Sequence, residues 1–572
     1  MIYLNKWPTR FPKIVGLDIE TTGLDPFQDE IIALGVSDGK NTVILTEDYE
    51  RVVALLEDES TLKVIHNALF DLSFLLYRYP CRPRAVWDSM LVERVIFNGQ
   101  QIGNALDEVL ARRCHVLLDK TIREQFIDHN GPLTDEMLAY IEQDVLHLPE
   151  LYAQQMQDVQ ERGLGRIVGL ENGALLPTVQ MYLTGVGFDL ELWDQYRTQI
   201  EETLDVLRQQ MLVDLGPEFA IEVERKKKGV PYVQTIPADE INFAAWQQLL
   251  PTLRKLGLKV QSTDRATLEK YAERHPFVQS LLDYKKWLKM STWKWDEMIS
   301  PVTGRIHPDW NQIGTITGRF SGNLQQVPRP QPNRPNMRAL FRPRPEHVII
   351  AADFSQQEPR LLAGISQDRK MIDAANELDI YIAFARAIWN EEIDKKDPRR
   401  QLTKTGVLAT MYGGQADGLA PKMNISVQEC QMFQDAVRRT FPVAYQWGNR
   451  QLREVKARGY TLTMWGRRSY FPDLRTKKDW QIANDARNYP IQGSGADMLK
   501  LSMIKIRDII ERHKFDASFM IALHDEIVLT VRADQGEELL PLVLKAMEEA
   551  GHDICPDVFF PAEGKVGQLW DH

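Results

Sequence analysis

The sequence predicts a multidomain chain in which an α/β domain is followed by a larger α+β one. Two observations carry this expectation. The 572 residues are 44% hydrophobic, enough to fill more than one core. Apolar runs of strand length that end in carboxylates occur near both ends, and long stretches of helical periodicity separate them.

The first such run is KIVGLDIET. In a strand, residues i and i+2 point to the same face, so Asp18 and Glu20 converge at its end. HNALFDLSFLLYRY predicts the start of a helix carrying Asp71, with Asn67 shortly before it. TDEMLAYIEQDVLHLPELYAQQM has apolar residues at helical spacing, which puts Tyr140 and Asp144 on one face. Asp18, Glu20, Asp71 and Asp144 cannot crowd together uncompensated, because like charges at short range oppose ionisation. Hard divalent cations resolve the conflict, and two of them about 4 Å apart can activate water and stabilise a leaving oxygen. Tyr140, which has no metal affinity, is placed to hold the attacking water.

A helical stretch follows from Leu164 through Met211, interrupted by LTGVGFDL. Residues 216–237, GPEFAIEVERKKKGVPYVQTIP, break the helical period and read as a basic hairpin or loop. Helical pattern resumes to about residue 298. No internal repeat or low-complexity tract is present.

VIIAAD then reads as a buried strand delivering Asp353, with an amphipathic helix from about Gln357. In the helix-like RRQLTKTGVLATMYGG, Arg400, Lys404, Leu408 and Tyr412 recur every four residues as a slowly drifting stripe. Two cations followed by an apolar and an aromatic side chain suit a triphosphate leading to a sugar and a base. LHDEIVLTV reads as a strand or hairpin carrying His524, Asp525 and Glu526. Two strands that bring Asp353 and Asp525 together would make a second two-metal site.

A net charge of −11 argues superficially against a nucleic-acid partner, but the bases cluster. ERKKKG at 224–229 is one block, and Arg329, Arg334, Arg338, Arg342 and Arg344 form a second; DKKDPRRQLTK at 394–404 is a third. The last two adjoin the acidic motifs and read as phosphate contacts. No apolar run is long enough to span a bilayer, and MIYLNKWPTRF lacks the apolar region of a signal peptide, so a cytoplasmic protein without membrane contact is expected. Cys81, Cys114, Cys430 and Cys555 are scattered and never at zinc-ligand spacing, which predicts reduced thiols.

Asp18, Glu20, Asp71, Tyr140 and Asp144 resemble, residue by residue and in order, the proofreading 3′→5′ exonuclease family with four acids and a tyrosine. Residues 160–572 resemble the family A DNA polymerases, the DNA polymerase I class. TITGRFSGNLQQVP is similar to that family's primer and template contact motif and supplies Arg319, Asn323 and Gln325. DFSQQEPR resembles its first palm motif, with Asp353 as metal ligand and Glu358 as the steric gate against ribose. RRQLTKTGVLATMYGG is similar to its finger helix, YPIQGSGADMLK to its minor-groove track through Asn488 and Gln492, and LHDE to its second metal motif with Asp525.

The resemblance implies a ribonuclease-H-like exonuclease domain at 1–155 and a right-hand polymerase domain at 156–572, with the thumb at about 190–300, the palm at about 301–370 and 471–572, and the fingers at about 371–470. It implies template-directed synthesis from deoxynucleoside triphosphates on primer-template DNA, with 3′→5′ proofreading. Two Mg2+ per active site are expected, with Mn2+ able to substitute. Asp353, Asp525, Arg400 and Lys404 would carry synthesis, and Glu20 and Tyr140 would join the metal ligands in hydrolysis. Leu408, Tyr412, Glu358, Gln357 and Tyr381 would line the nucleotide, while Arg319, Asn323, Gln325, Arg338, Asn488, Gln492 and His524 would touch DNA. The chain starts directly at the exonuclease, leaving no room for a 5′ nuclease domain, and its compact size suggests a phage-like replicative enzyme. Two other classes stay open: a nuclease that uses its C-terminal half as a nucleic-acid clamp, and a structural replication factor with both sites dead.

Three residues depart from the family pattern: Leu408 stands where Phe or Tyr is usual, Tyr381 where histidine is common, and Gln357 where an aliphatic is common. Leucine offers apolar contact but no ring face, which forgoes roughly 0.5 to 1.5 kcal/mol of aromatic packing. Leu408→Phe is therefore expected to speed nucleotide incorporation by a few-fold to about tenfold, and Leu408→Tyr additionally to admit dideoxynucleotides. Single-turnover incorporation of normal and dideoxy substrates checks both; slower synthesis by both variants with unchanged dideoxy selectivity would mean that the larger ring overfills the site.

Overall fold

The apolar run around Asp18 becomes Ile14–Thr21, a central strand of a six-stranded sheet. The computed structural model describes residues 1–8, 11–227 and 230–570. The sheet runs in the order Ile2–Leu4, Thr42–Leu45, Ile31–Ser37, Ile14–Thr21, Leu62–Ile65 and Val86–Asp88. Ile14–Thr21 pairs antiparallel with Ile31–Ser37 and parallel with Leu62–Ile65. Helix Asp135–Leu146 comes unusually close to this sheet because two glycines leave room. A Cβ on Gly16 would stand 2.4 Å from the Val145 carbonyl oxygen, and one on Gly35 would stand 2.9 Å from Ile141 Cγ2. The close seat carries Tyr140 and Asp144 toward Asp18 and Glu20. The single helical pattern read across LHLPELYAQQM is two helices, Asp135–Leu146 and Leu148–Glu161, with Pro149 in the first turn of the second, where its missing N–H costs nothing.

The second acidic segment folds as expected into His347–Phe354, a strand buried along nearly its whole length. It lies in a four-stranded antiparallel sheet ordered Ala517–Leu523, Glu526–Arg532, His347–Phe354, Ala562–Gly567. His524 and Asp525 form the two-residue turn between the first two strands, and His524 takes φ 56°. Helix Asp479–His513, 35 residues long, contains the whole YPIQGSGADMLK segment.

The chain divides into two units. One comprises Met1–Gly187, Ser300–Arg329 and Phe341–His572; the other comprises Phe188–Ile299 and Pro330–Leu340. The second unit holds helix Leu190–Leu215, the hairpin Ala220–Lys227/Val230–Pro237 and helices Trp246–Lys255, Arg265–Ala272 and Pro276–Ser291 around a core that includes Ile221, Ile236, Phe243, Phe277 and Leu281. The 216–237 segment is thus a hairpin rather than a loop. Lys228 and Gly229 of its basic block lie outside the described residues.

Within the first unit the N-terminal sheet domain is bonded to later segments. Asn98 Nδ2 donates to the carbonyls of Ile316 and Arg468, both at 2.8 Å, and Arg468 Nη2 donates to the Arg162 carbonyl at 2.7 Å. Deeper inside, four fully buried charges balance one another. Glu171 accepts from Arg467 and from Lys500 Nζ (2.6 Å), and Arg467 Nη2 lies 2.7 Å from Asp497. Gln312 Nε2 also donates to Glu171, at 2.5 Å, and Thr463 Oγ1 donates to Asp497, at 2.8 Å. Breaking one partner of such a network leaves an uncompensated buried charge, at a cost of about 3–5 kcal/mol. Lys500→Met should therefore destabilise the protein by about that amount, and adding Glu171→Gln should recover a substantial part of it; equal stability of the single variant and the wild type in urea denaturation would contradict the network's role.

Candidate active sites

At the end of the N-terminal strand, single carboxylate oxygens of Asp18, Glu20 and Asp144 lie within 4.8 Å of one another. Asp71 enters from helix Ala68–Arg78 and accepts the backbone N–H of Ile19 at 3.0 Å, which ties it to the strand between Asp18 and Glu20. Asn67 stands in the left-handed region at φ 64°, directly before that helix. The structure thus brings the four acids and Tyr140 together around one cavity of about 690 Å3.

Its electrostatics are strained in the way like charges demand. Burial first, then the neighbouring Asp71, Glu20 and Asp144, push Asp18 well above the usual carboxylate range. Burial and Asp144 push Glu20 up to about 8; burial raises Asp71 to about 8 and Asp144 to about 6. Asp144 Oδ1 is buried without a hydrogen-bond partner. A cluster of hard oxygen donors whose ionised forms are disfavoured, one of them unpartnered, fits divalent cations.

The second site lies at the end of the other sheet. Asp353 sits opposite Glu526 in the strand register, and the Phe354 N–H donates to the Asp525 carbonyl at 3.2 Å, so Asp353 and Asp525 meet at one edge. Burial raises Asp525, while Arg329 and His524 oppose that rise. Arg329 Nη2 is 3.3 Å from Asp353 Oδ2. Glu526, the third acid of the LHDE motif, is buried and accepts from Trp570 Nε1 at 2.7 Å, which binds it to the core.

Arg400, Lys404 and Leu408 lie on helix Pro398–Met411, with Tyr412 at its C-terminal end. Arg400 pairs with Asp379 at 2.8 Å and lies over the Tyr381 ring. Tyr412 is raised by burial and then by the neighbouring Glu358, and Glu358 is bound by Arg319 Nη2 at 3.0 Å. Gln325 Nε2 donates to the Ala522 carbonyl at 2.8 Å, Asn323 and His524 are exposed, and Asn488 and Gln492 sit one turn apart on helix Asp479–His513.

One expectation needs correction. Gln357 is buried, and its amide meets Met498 sulfur at 3.5 Å on the opposing helix, where Gly495 leaves room for it; it packs against that helix instead of lining the nucleotide. Arg338 lies on the short helical turn Met337–Leu340 of the second unit. Three residues escaped the sequence reading. Lys120 and Arg123 face the four-acid cavity from a stretch without helical or strand period, and their charges lower Asp144. Asp88 accepts from the N–H groups of Ala68 at 2.9 Å and Met90 at 2.9 Å, fixing the helix that carries Asp71. A lone Asp before SMLVERVI signals only a helix cap.

Because the folded pKa values of these acids are raised, the folded state holds their protons to higher pH than the unfolded chain does. Their contribution is present below the ordinary carboxylate range and is lost as pH rises from about 4 toward about 8. The melting temperature in EDTA should fall across that window, Asp71→Asn should flatten the fall, and Mg2+ should stabilise more at about pH 8 than at about pH 5. A melting temperature in EDTA with the same pH profile in wild type and Asp71→Asn would contradict the raised carboxylates.

Residues 5–160 match the family model described as 3′-5′ exonuclease, and residues 209–572 match DNA polymerase family A. DNA polymerase I of Aquifex aeolicus is 28% identical over 592 aligned residues, covering 97% of this chain and 95% of that protein. DNA polymerase I of Geobacillus stearothermophilus is 31% identical over 383 residues, which are 65% of this chain but only 42% of that protein; the thermostable DNA polymerase I of Thermus aquaticus is 31% identical over 64% of this chain and 44% of its own length. The chain thus spans less than half of the latter two. Among solved structures, the POL domain of Pol1 from M. smegmatis, in complex with DNA primer-template and dNTP, shares the fold at a TM-score of 0.81, with 23% identity over 97% of this chain and 95% of that one. With one match covering well over half of its residues and the other covering its N-terminal acids, the chain belongs to DNA polymerase family A and carries a 3′-5′ exonuclease domain ahead of its polymerase domain.

Proposed function

We propose that this chain extends a DNA primer along a template at the Asp353–Asp525 edge and removes 3′-terminal nucleotides at the cavity of Asp18, Glu20, Asp71 and Asp144. The observation that carries the reading is that one chain holds two carboxylate clusters, each at a strand end and on a different sheet. Divalent cations, Mg2+ with Mn2+ able to substitute, would be held by those acids and would supply charge stabilisation and an activated nucleophile at the reacting phosphate. Arg400 and Lys404 neutralise the triphosphate from the finger helix, and Arg400 exchanges its Asp379 partner for phosphate. Glu358, held by Arg319, excludes a 2′ hydroxyl beside Tyr412, while Leu408 and Tyr381 line the nucleotide. Tyr140 orients the attacking water in the exonuclease, and Lys120 and Arg123 offer positive charge to its phosphate.

Asn323, Gln325, Asn488, Gln492 and His524 form the DNA track in this reading. The same proposal assigns 1–155 to the exonuclease and 156–572 to the polymerase, with the thumb at about 190–300 and the fingers at about 371–470; the matched spans 5–160 and 209–572 support it. Among the described residues no helix is long and apolar enough to cross a membrane. Bacterial relatives support a cytoplasmic, replicative role.

Loss of a metal ligand should raise the barrier by at least about 4 kcal/mol, or roughly 1,000-fold in rate. Asp353→Ala or Asp525→Ala should stop primer extension and spare 3′ degradation; Asp18→Ala with Glu20→Ala should do the reverse. Parallel extension and degradation assays on one primer-template decide, and equal loss of both activities in either variant would sink the two-site reading.

A further inference from the structure

Arg319 stands near the tip of a short hairpin, and part of what holds that tip lies outside the polymerase domain. Asn311 and Ser321 exchange backbone hydrogen bonds at the base of the hairpin, at 2.8 and 3.0 Å, and the Gly318 N–H closes the turn on the Thr315 carbonyl at 2.9 Å. Just past the turn, the Arg319 guanidinium bonds Glu358 at 3.0 Å, and its buried Nε has no hydrogen-bond partner among the described residues. With so few bonds of its own, the side chain takes its aim from the backbone between Thr315 and Gly318.

Donors from both domains fix that backbone. Ser469 Oγ donates to the Ile316 carbonyl at 2.9 Å, and Lys500 Nζ donates to the Gly318 carbonyl at 2.7 Å; both lie in the polymerase match. Asn98 lies in the exonuclease match, and its Nδ2 donates to the same Ile316 carbonyl at 2.8 Å. Asn98 is 5% exposed and cannot drift: its amide also donates to the Arg468 carbonyl at 2.8 Å, and its own backbone carbonyl accepts the Tyr470 N–H at 3.0 Å. Gly99, at φ 88°, brings the exonuclease chain against the turn, where a Cβ would stand 2.6 Å from Ile316 Cδ1. At the base of the hairpin, Arg94 Nη1 donates to Asn311 Oδ1 at 2.5 Å. One stretch of the exonuclease domain, 94–99, thus grips the hairpin at its base and at its tip. A plain joint between domains needs only apolar contact. Here the Ile316 carbonyl has both lone pairs engaged, one by a donor from each domain, which fixes its direction as well as its place.

We propose that Asn98, a residue of the exonuclease domain, is a positioning residue for synthesis: it orients the Thr315–Gly318 turn so that Arg319 holds Glu358 against the 2′ position of the incoming sugar. Asn98 acts through Ile316 and Arg319 and takes no part in the chemistry itself. The proposal rests on the polymerase reading and on Glu358 as the gate. It makes sugar selection depend on the presence of the exonuclease fold, independently of the four acids.

The test is the ratio of kcat/KM for deoxy- and ribonucleoside triphosphates in single-nucleotide extension. Asn98→Leu keeps a branched side chain but donates nothing, and it should lower this selectivity about tenfold, the factor that one buried hydrogen bond is worth, while 3′ degradation of a single strand stays at the wild-type rate. Ser469→Ala removes the other donor to the same carbonyl with little change in volume and should shift selectivity in the same direction. Leu110→Ala, in the core of the same exonuclease domain, is the control: it should lower the melting temperature and keep the wild-type selectivity. Wild-type selectivity in Asn98→Leu, or in Ser469→Ala where the first variant does not fold, would overturn the proposal. So would an equal loss in Leu110→Ala, which would mark general loosening of the domain. Absence of extension by the wild type would refute the polymerase reading itself, and wild-type selectivity in Glu358→Ala would refute the gate; either takes the proposal with it and is told apart from a failure at Asn98.

Discussion

Four buried charges, Glu171, Arg467, Asp497 and Lys500, tie the long helix Asp479–His513 to the segments that lead to the proposed synthesis site. They come from a helix of residues 165–184, a loop before Arg468–Tyr470 and the long helix Asp479–His513. Two acids and two bases cancel, so the group can be buried without net charge, and Gln312 and Thr463 satisfy further oxygens. Lys500 Nζ also donates to the carbonyl of Gly318 at 2.7 Å, where φ is +78°. The next residue is Arg319, which binds Glu358 beside Tyr412. A chain of contacts therefore runs from the core to the proposed sugar gate, and the geometry of Arg319 depends on charges that never meet solvent.

The cavity of the four N-terminal acids follows the opposite logic. Its carboxylates are buried without enough positive charge nearby to balance them; burial raises each one, and repulsion from neighbouring acids of the cluster adds to the rise at Asp18, Glu20 and Asp71. Such an arrangement opposes folding unless protons or divalent cations take up the charge. The scaffold tolerates it through close packing elsewhere: Gly16 and Gly35 let helix Asp135–Leu146 settle onto the sheet, and Asp88 caps the helix that carries Asp71. The stability that the acids withhold is the cation affinity that a phosphoryl-transfer site needs.

The elements that carry Asp18, Glu20, Tyr140 and Asp144 were legible because they rest on short-range periodicity. Asp18 and Glu20 are two apart on a strand, Tyr140 and Asp144 four apart on a helix, and Arg400, Lys404 and Leu408 recur at helical spacing; all fold into the elements that those spacings require. Lys120 escaped because it lies in irregular chain, and Arg123 because it opens a single 3-10 turn, Arg123–Phe126, too short to show a period. Gln357 was misread for a related reason. Adjacency to a motif places a residue along the chain, but burial depends on what packs against it, and Gly495 and Met498 are about 140 residues beyond Gln357.

The sequence by itself determined the elements, their order and which acids stand at strand ends, since backbone sterics and a 2.0- or 3.6-residue period are local properties. It also showed a basic segment between two helical regions. Only the tertiary structure decided that Asp71 reaches back to the Ile19 N–H, that Glu526 is claimed by Trp570, and that Glu171 meets Arg467 and Lys500. Each of these joins residues 44 to 329 positions apart. Such pairings are set by helix-on-sheet packing and by the need of every buried charge for a partner, and no local pattern encodes them.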